Sequence, residues 1–213
     1  LAENKLMAKT NEVTFTDEDF AVFQVPGLEA RMDLIRAKLQ PKFLLLGAEI
    51  MPIVQPASTK PLYLHIAKHQ RRTVYPPDTT LLAISNSKRG YKMSAHFQLR
   101  IGGNGVALLL SILEQPKLEA EYAQSLRKNI ELINQLPKDF IVSTDHTKNS
   151  FQPLAENFSA ALNRLTTIKK SELEIGRFIT HNDPLWQNPS ARQTFFHDTY
   201  QQLAKIYKNL PGS

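Results

Sequence analysis

The side chains best suited to chemistry fall close together: His65, His69 and His96 share one stretch with Lys68, Arg71, Arg72, Arg89, Lys92 and Arg100. Imidazole gives and takes protons near neutral pH, and guanidinium offers a planar fork of donors shaped for phosphate or carboxylate. Histidines among arginines point to two chemistries. One is capture of an anionic ligand. The other is acid–base catalysis by a histidine, with arginines stabilising the anion that develops.

Two runs carry most of the charge. The first is Lys68-His69-Gln70-Arg71-Arg72-Thr73 and the second is Lys88-Arg89-Gly90-Tyr91-Lys92, in which Tyr91 is suited to stack on a base or ring. One strand separates them, and they are expected to face each other across a loop pair. His96, Gln98 and Arg100 alternate with Phe97, Leu99 and Ile101. This polar stripe is either the solvent side of a sheet or the floor of a site walled by the two runs. A histidine beside arginines is expected to be neutral near pH 7.

The charge is local. From Lys60 to Arg100 there are eight basic residues against the single acid Asp78, a net +7, while the remaining 18 basic and 19 acidic residues give −1. Such a block creates a positive patch wherever the fold keeps it together.

Other chemistries find little support. His65 and His69, four apart, would share one face, and His96, Asp145 or His146 would have to complete a metal site. Lys68, Arg71 and Arg72 would repel the cation, so neither metal nor cofactor is expected. Asp145-His146 has the residue types of half a catalytic triad, but neighbours in a strand point apart. The chain has no Gly-x-Ser-x-Gly elbow, phosphate-binding P-loop or dinucleotide fingerprint, and Gly102-Gly103-Asn104-Gly105 sits between strands. It has no cysteine, which removes disulfides and thiolate chemistry. The longest apolar run, Val106 to Leu113, is far below the roughly 20 residues needed to span a bilayer, and the polar start carries no secretory pattern. A cytoplasmic protein without membrane partners is expected.

The elements that must hold these residues are read from periodicity. With 42% hydrophobic and 22% charged residues, the chain has the composition of a globular protein. Thr16 before Asp17-Glu18-Asp19 is a helix N-cap. Leu28, Met32, Ile35 and Leu39 recur at helical spacing, Pro41 ends or kinks that helix, and 42–54 is a second helical piece. Strands are predicted near 62–67, 81–85, 96–101 and 106–113, with hairpin chemistry at 102–105. Helices at 118–136, 153–167 and 190–207 then alternate with short strands at 140–142 and 173–179. The whole reads as α+β: a central, mostly antiparallel meander flanked by N- and C-terminal helices. Residues 15–210 form one compact domain after a flexible segment, 1–14.

The run from His65 to Val74, followed by Pro76-Pro77-Asp78, Lys88-Arg89-Gly90-Tyr91-Lys92 and His96-Phe97-Gln98, resembles the YktB-like family of uncharacterised bacterial proteins. Phe15-Thr16, Asp19-Phe20, the run from Pro26 to Met32, and Asp145-His146 with Lys148 are similar to it as well. The resemblance implies a compact α+β cytoplasmic fold and brings no activity, substrate or cofactor. The residues themselves lead to two expectations. The first is binding of a phosphate-bearing or polyanionic ligand, a nucleotide or RNA, through Lys68, Arg71, Arg72, Arg89, Tyr91, Lys92 and Arg100. The second is a metal-independent hydrolase or transferase on a phosphoester or acyl substrate, with His65, His69 or His96 as acid or base.

Overall fold

The computed structural model describes residues 13–113 and 118–213. The segment expected to be flexible, 1–14, lies outside them except for its last two residues. Of these, Val13 is buried and the Thr14 hydroxyl donates to the Trp186 carbonyl at 2.6 Å.

The N-terminal elements obey their local signals. Helix α1 (Asp17–Ala21) begins at Thr16 with a reciprocal cap, in which the Thr16 N–H donates to the Asp19 carboxylate at 2.7 Å. Gly27, at φ +83°, turns the chain into α2 (Leu28–Leu34). Pro41 does not break the helical run. A proline ring collides with the carbonyl four residues back, and here a π-helical turn, Ile35–Leu39, widens the backbone ahead of it and leads into α3 (Gln40–Val54). Ile35, Leu39, Phe43, Leu46, Ile50 and Val54 therefore stay on one buried face.

Among the described residues the sheet has seven strands, every pair antiparallel, in the spatial order β1-β2-β3-β4-β7-β5-β6. The strands are β1 (Tyr63–Ile66), β2 (Thr79–Ser85), β3 (His96–Gly102), β4 (Gly105–Ile112), β5 (Ile141–Ser143), β6 (Gln152–Pro153) and β7 (Leu173–Thr180). The first four form the expected meander. The predicted helix 118–136 is divided at Asn129, whose φ −109° and ψ +28° are not helical, into α4 (Glu119–Lys128) and α5 (Ile130–Asn134). Helix α6 (Leu154–Thr167) precedes β7, and α7 (Pro189–Tyr207) starts where the Asn188 side chain accepts from the Ala191 N–H.

Alternation gives the sheet two dissimilar faces. Phe97, Leu99, Ile101, Val106, Leu108 and Leu110 point to the helices, and Phe97 lies 4.7 Å from the Tyr207 ring and 6.4 Å from Tyr200. This face is the main core. The opposite face carries His65, Ala83, Ser85, His96, Gln98, Arg100, Leu109, Ser111 and Glu174.

Candidate functional site

The polar stripe of β3 is not the solvent side of the sheet. His96, Gln98 and Arg100 are each at most 1% exposed. Two loops roof this face. Residues 86–95 fold back so that the Tyr91 ring sits 6.2 Å from His65 and 5.0 Å from His96. Residues 144–151 cross as a strap: the His146 carbonyl accepts from Arg100 at 3.0 Å, and Phe151 stacks 5.0 Å from Phe178.

Under the strap, Arg100 faces Glu174 through two parallel hydrogen bonds of 3.1 and 2.8 Å. The Ser111 hydroxyl donates to the same carboxylate at 2.9 Å. Water cannot reach either charge, so each needs the other. Arg100, expected among the anion-binding residues, thus has its charge matched inside the protein.

His96 is the other buried member. Burial pulls its pKa down to about 4, against the pull of hydrogen bonds at Ser94 and Gln98. Desolvation, not neighbouring arginine, makes it neutral. Its Nδ1 faces the Ser94 carbonyl at 3.0 Å, which requires the proton there, and Nε2 lies 3.3 Å from the Gln98 amide oxygen. One neutral ring satisfies one oxygen. The second contact becomes a hydrogen bond when the Gln98 amide presents its NH2 group, which otherwise has no partner among the described residues.

The remaining sequence candidates separate. His65 points to the roof, with Nε2 2.8 Å from the Ser87 carbonyl. His69 lies beyond the end of β1 at φ +52°, and its Nε2 stands 3.0 Å from the Thr80 hydroxyl. The even spacing of these histidines therefore does not bring them to one site. Burial first, and Arg72 second, lower the His69 pKa to about 4. Tyr91 is half-buried between two imidazoles rather than open for stacking, and burial raises its phenol pKa.

The two basic runs do not wall one site either. Consecutive loops of an antiparallel meander leave a strand at opposite ends. Lys68 to Tyr75 lie beyond the Ile66/Thr79 end of β2, and Lys88 to Lys92 beyond Ser85. Seven residues of strand put about 20 Å between the two ends. Lys68, Arg71, Arg72, Arg89 and Lys92 are all exposed. Arg72 braces its own loop by donating to the Tyr75 and Pro76 carbonyls at 3.2 Å. Asp78 leans 3.6 Å from Arg31 and stays exposed. Beside the arginines stands Tyr75, 78% exposed, an aromatic platform absent from the sequence candidates although it sits three residues from Arg72.

Asp145 and His146 do not pair with each other. Asp145 accepts from Thr147, while the His146 ring and backbone N–H both face Glu172, with Nδ1 2.8 Å from Oε2. Burial works to raise the Glu172 pKa, but the hydrogen bonds from His146 outweigh it and hold it below the usual carboxylate range. Nothing in the sequence signalled this partner, 26 residues away. Two clefts flank the strap. One, of about 310 Å³, lies between the strap and α6 and includes Asp145, Asn157 and Arg164. The other, of about 500 Å³, lies at the β3–β4 hairpin and includes Asp78, Asn104 and Asn149.

The neutrality of His96 has a thermodynamic sign. Its proton affinity is lower folded than unfolded, so the unfolded chain takes up the extra proton on acidification. Stability is expected to hold above pH 6.5 and fall from there toward about pH 4, by up to about 1.4 kcal/mol per pH unit for this site. Urea titrations of wild type and His96→Gln check this. The variant should have a shallower slope between pH 6.5 and 4.5, and identical slopes would contradict a neutral buried ring.

A family profile described as a domain of unknown function, DUF1054, matches residues 15–207. The chain is similar to a UPF0637 protein of Enterococcus faecalis, 45% identical over 195 residues, covering 91% of this chain and 96% of that protein. It is 43% identical over 197 residues to a UPF0637 protein of Lactococcus lactis subsp. cremoris, at 92% and 98% coverage. A UPF0637 protein of Staphylococcus carnosus is 36% identical over 202 residues, at 92% and 99%. The resemblance first read from the central block extends over the whole domain.

Proposed function

This chain belongs to the DUF1054 family over residues 15–207, and we propose that it binds an extended polyanion, a single nucleic-acid strand, along the basic loops at the two ends of β2. The observation that carries the reading is the exposure of six cations on these loops, Lys68, Arg71, Arg72, Lys88, Arg89 and Lys92, with one acid among them, itself leaning on Arg31. The separation of the loops favours a strand over a compact nucleotide. About 20 Å accommodates roughly six nucleotides at about 3.4 Å each. Arg71 and Arg89 would neutralise phosphates, and Tyr75 would supply a stacking face.

Binding of this kind depends steeply on salt. With about four phosphates engaged on a single strand, affinity is expected to fall about 50-fold between 50 and 200 mM salt. Fluorescence anisotropy with a labelled 12-mer measures it. The pair Arg71→Ala and Arg89→Ala, one from each loop, should flatten the logarithmic slope by about 1.4. Binding that ignores salt, or the double variant matching wild type, would reject the proposal.

One arrangement supports the second reading, a metal-independent hydrolase or transferase. His146 oriented by Glu172 has the geometry of a general base, and His65 and His96 share the roofed face with it. The same preparations separate the two readings. Strand binding survives His146→Gln if the protein is a binder, whereas turnover of a phosphodiester would need that imidazole.

A further inference from the structure

The cleft at the β3–β4 hairpin sets the Asp78 carboxylate among amides and hydroxyls, and its one cation, Lys148, is held 3.3 Å from Asp145 outside the cleft. Asn104 and Asn149 bind each other, the Asn149 Nδ2 donating to Asn104 Oδ1 at 2.7 Å and the Asn104 Nδ2 donating to the Asn149 carbonyl at 2.9 Å. Asn149 Nδ2 also donates to the Gly105 carbonyl at 3.4 Å, and Asn149 Oδ1 is buried with no partner among the described residues. Asp78 lines the same cleft with its carboxylate 90% exposed and 3.6 Å from its nearest cation, Arg31. Phe23 forms an apolar wall and Gln24 adds an exposed amide. Gly103 sits against Phe23 without a side chain to fill the space.

The cleft also adjoins the first basic loop. Asp78 and Thr79 are where that loop enters β2, and His69 reaches back to Thr80. A volume of about 500 Å³ falls within the range of small-molecule sites. An exposed carboxylate beside an apolar wall suits a flat ligand that carries amino or ring N–H donors on its edge. Carboxylate and amide acceptors recognise exocyclic amino groups of bases in this way.

We infer that this cleft takes one amino-bearing nucleobase of the bound strand, splayed from its neighbours, with the Asp78 carboxylate accepting from it. The inference rests on the polyanion reading and adds base selectivity to it. The loops would hold phosphates without regard to sequence, and the cleft would choose among bases.

The test is anisotropy at fixed salt with oligo-rA, oligo-rC, oligo-rU and an abasic strand of equal length, plus oligo-dC to isolate the sugar. Oligo-rA and oligo-rC should bind at least about fivefold more tightly than oligo-rU and the abasic strand. Asp78→Ala alters an exposed side chain, so the fold should persist. Asp78→Ala removes the acceptor and should collapse the preference while binding the abasic strand as well as wild type or better, because it also removes a negative charge. Equal binding of all strands, with salt dependence intact, would overturn the base pocket and leave the polyanion reading standing. If no strand binds, the polyanion reading has failed. A titration with cytidine then decides the cleft separately: shifts in the amide resonances of Gly103 and Asn149 sustain it, and their absence overturns it.

Discussion

Glu174→Ala should cost the fold about 3–5 kcal/mol, because it strands the Arg100 guanidinium in a dry interior. Both charges are fully buried, and their two hydrogen bonds are supplemented by the Ser111 hydroxyl and the His146 carbonyl. Removing one partner leaves a charge that water cannot reach. Removing both is different. Arg100→Met with Glu174→Leu replaces the pair by apolar groups of similar size and should recover most of the loss. Urea unfolding of the two singles and the double forms a complete cycle. A single-variant loss below about 1 kcal/mol would mean that solvent reaches the pair.

Gly176→Ala should be at least as damaging, above about 4 kcal/mol, and soluble folded protein is not expected. Gly176 lies on β7 where the backbone of β4 passes close. A Cβ there would stand 1.8 Å from the Leu108 carbonyl oxygen and 2.8 Å from its carbon. Those are backbone atoms of a central strand, with no rotamer to turn aside. Gly103→Ala makes the control, since its Cβ meets nothing nearer than 3.5 Å. Circular dichroism and thermal melts of both variants compare them directly, and a folded Gly176→Ala protein would show that β4 and β7 can separate at little cost.

Much of this architecture could be read from the chain. Alternation at Phe97, Leu99 and Ile101 and the glycines at 102–105 marked out the meander, and Asn188-Pro189 marked the start of the last helix. What alternation does not report is what covers the second face. His96, Gln98 and Arg100 read identically whether water or a loop lies above them, and here loops do. The placement of β7 between β4 and β5 was equally silent, because pairing across some 65 residues leaves no local pattern. At the candidate site, residue types were legible and convergence was not. The meander already implied that successive loops part at opposite ends of a strand, a consequence the charge map alone obscured. Tyr75 was visible as an aromatic beside arginines. Glu172 and the Asn104–Asn149 pair were not, since only the strap brings them to their positions.

The position of β7 also bears on the order in which the chain can assemble. The first four strands are sequential neighbours and can zip together from local turns, whereas β5 and β6, which pair with each other, join those four only when β7 arrives between β5 and β4. That late arrival is self-checking. A slip of one residue would turn the Glu174 carboxylate to the apolar face and leave Arg100 facing a leucine or isoleucine. The buried ion pair therefore penalises a misregistered sheet at the step where its two halves join.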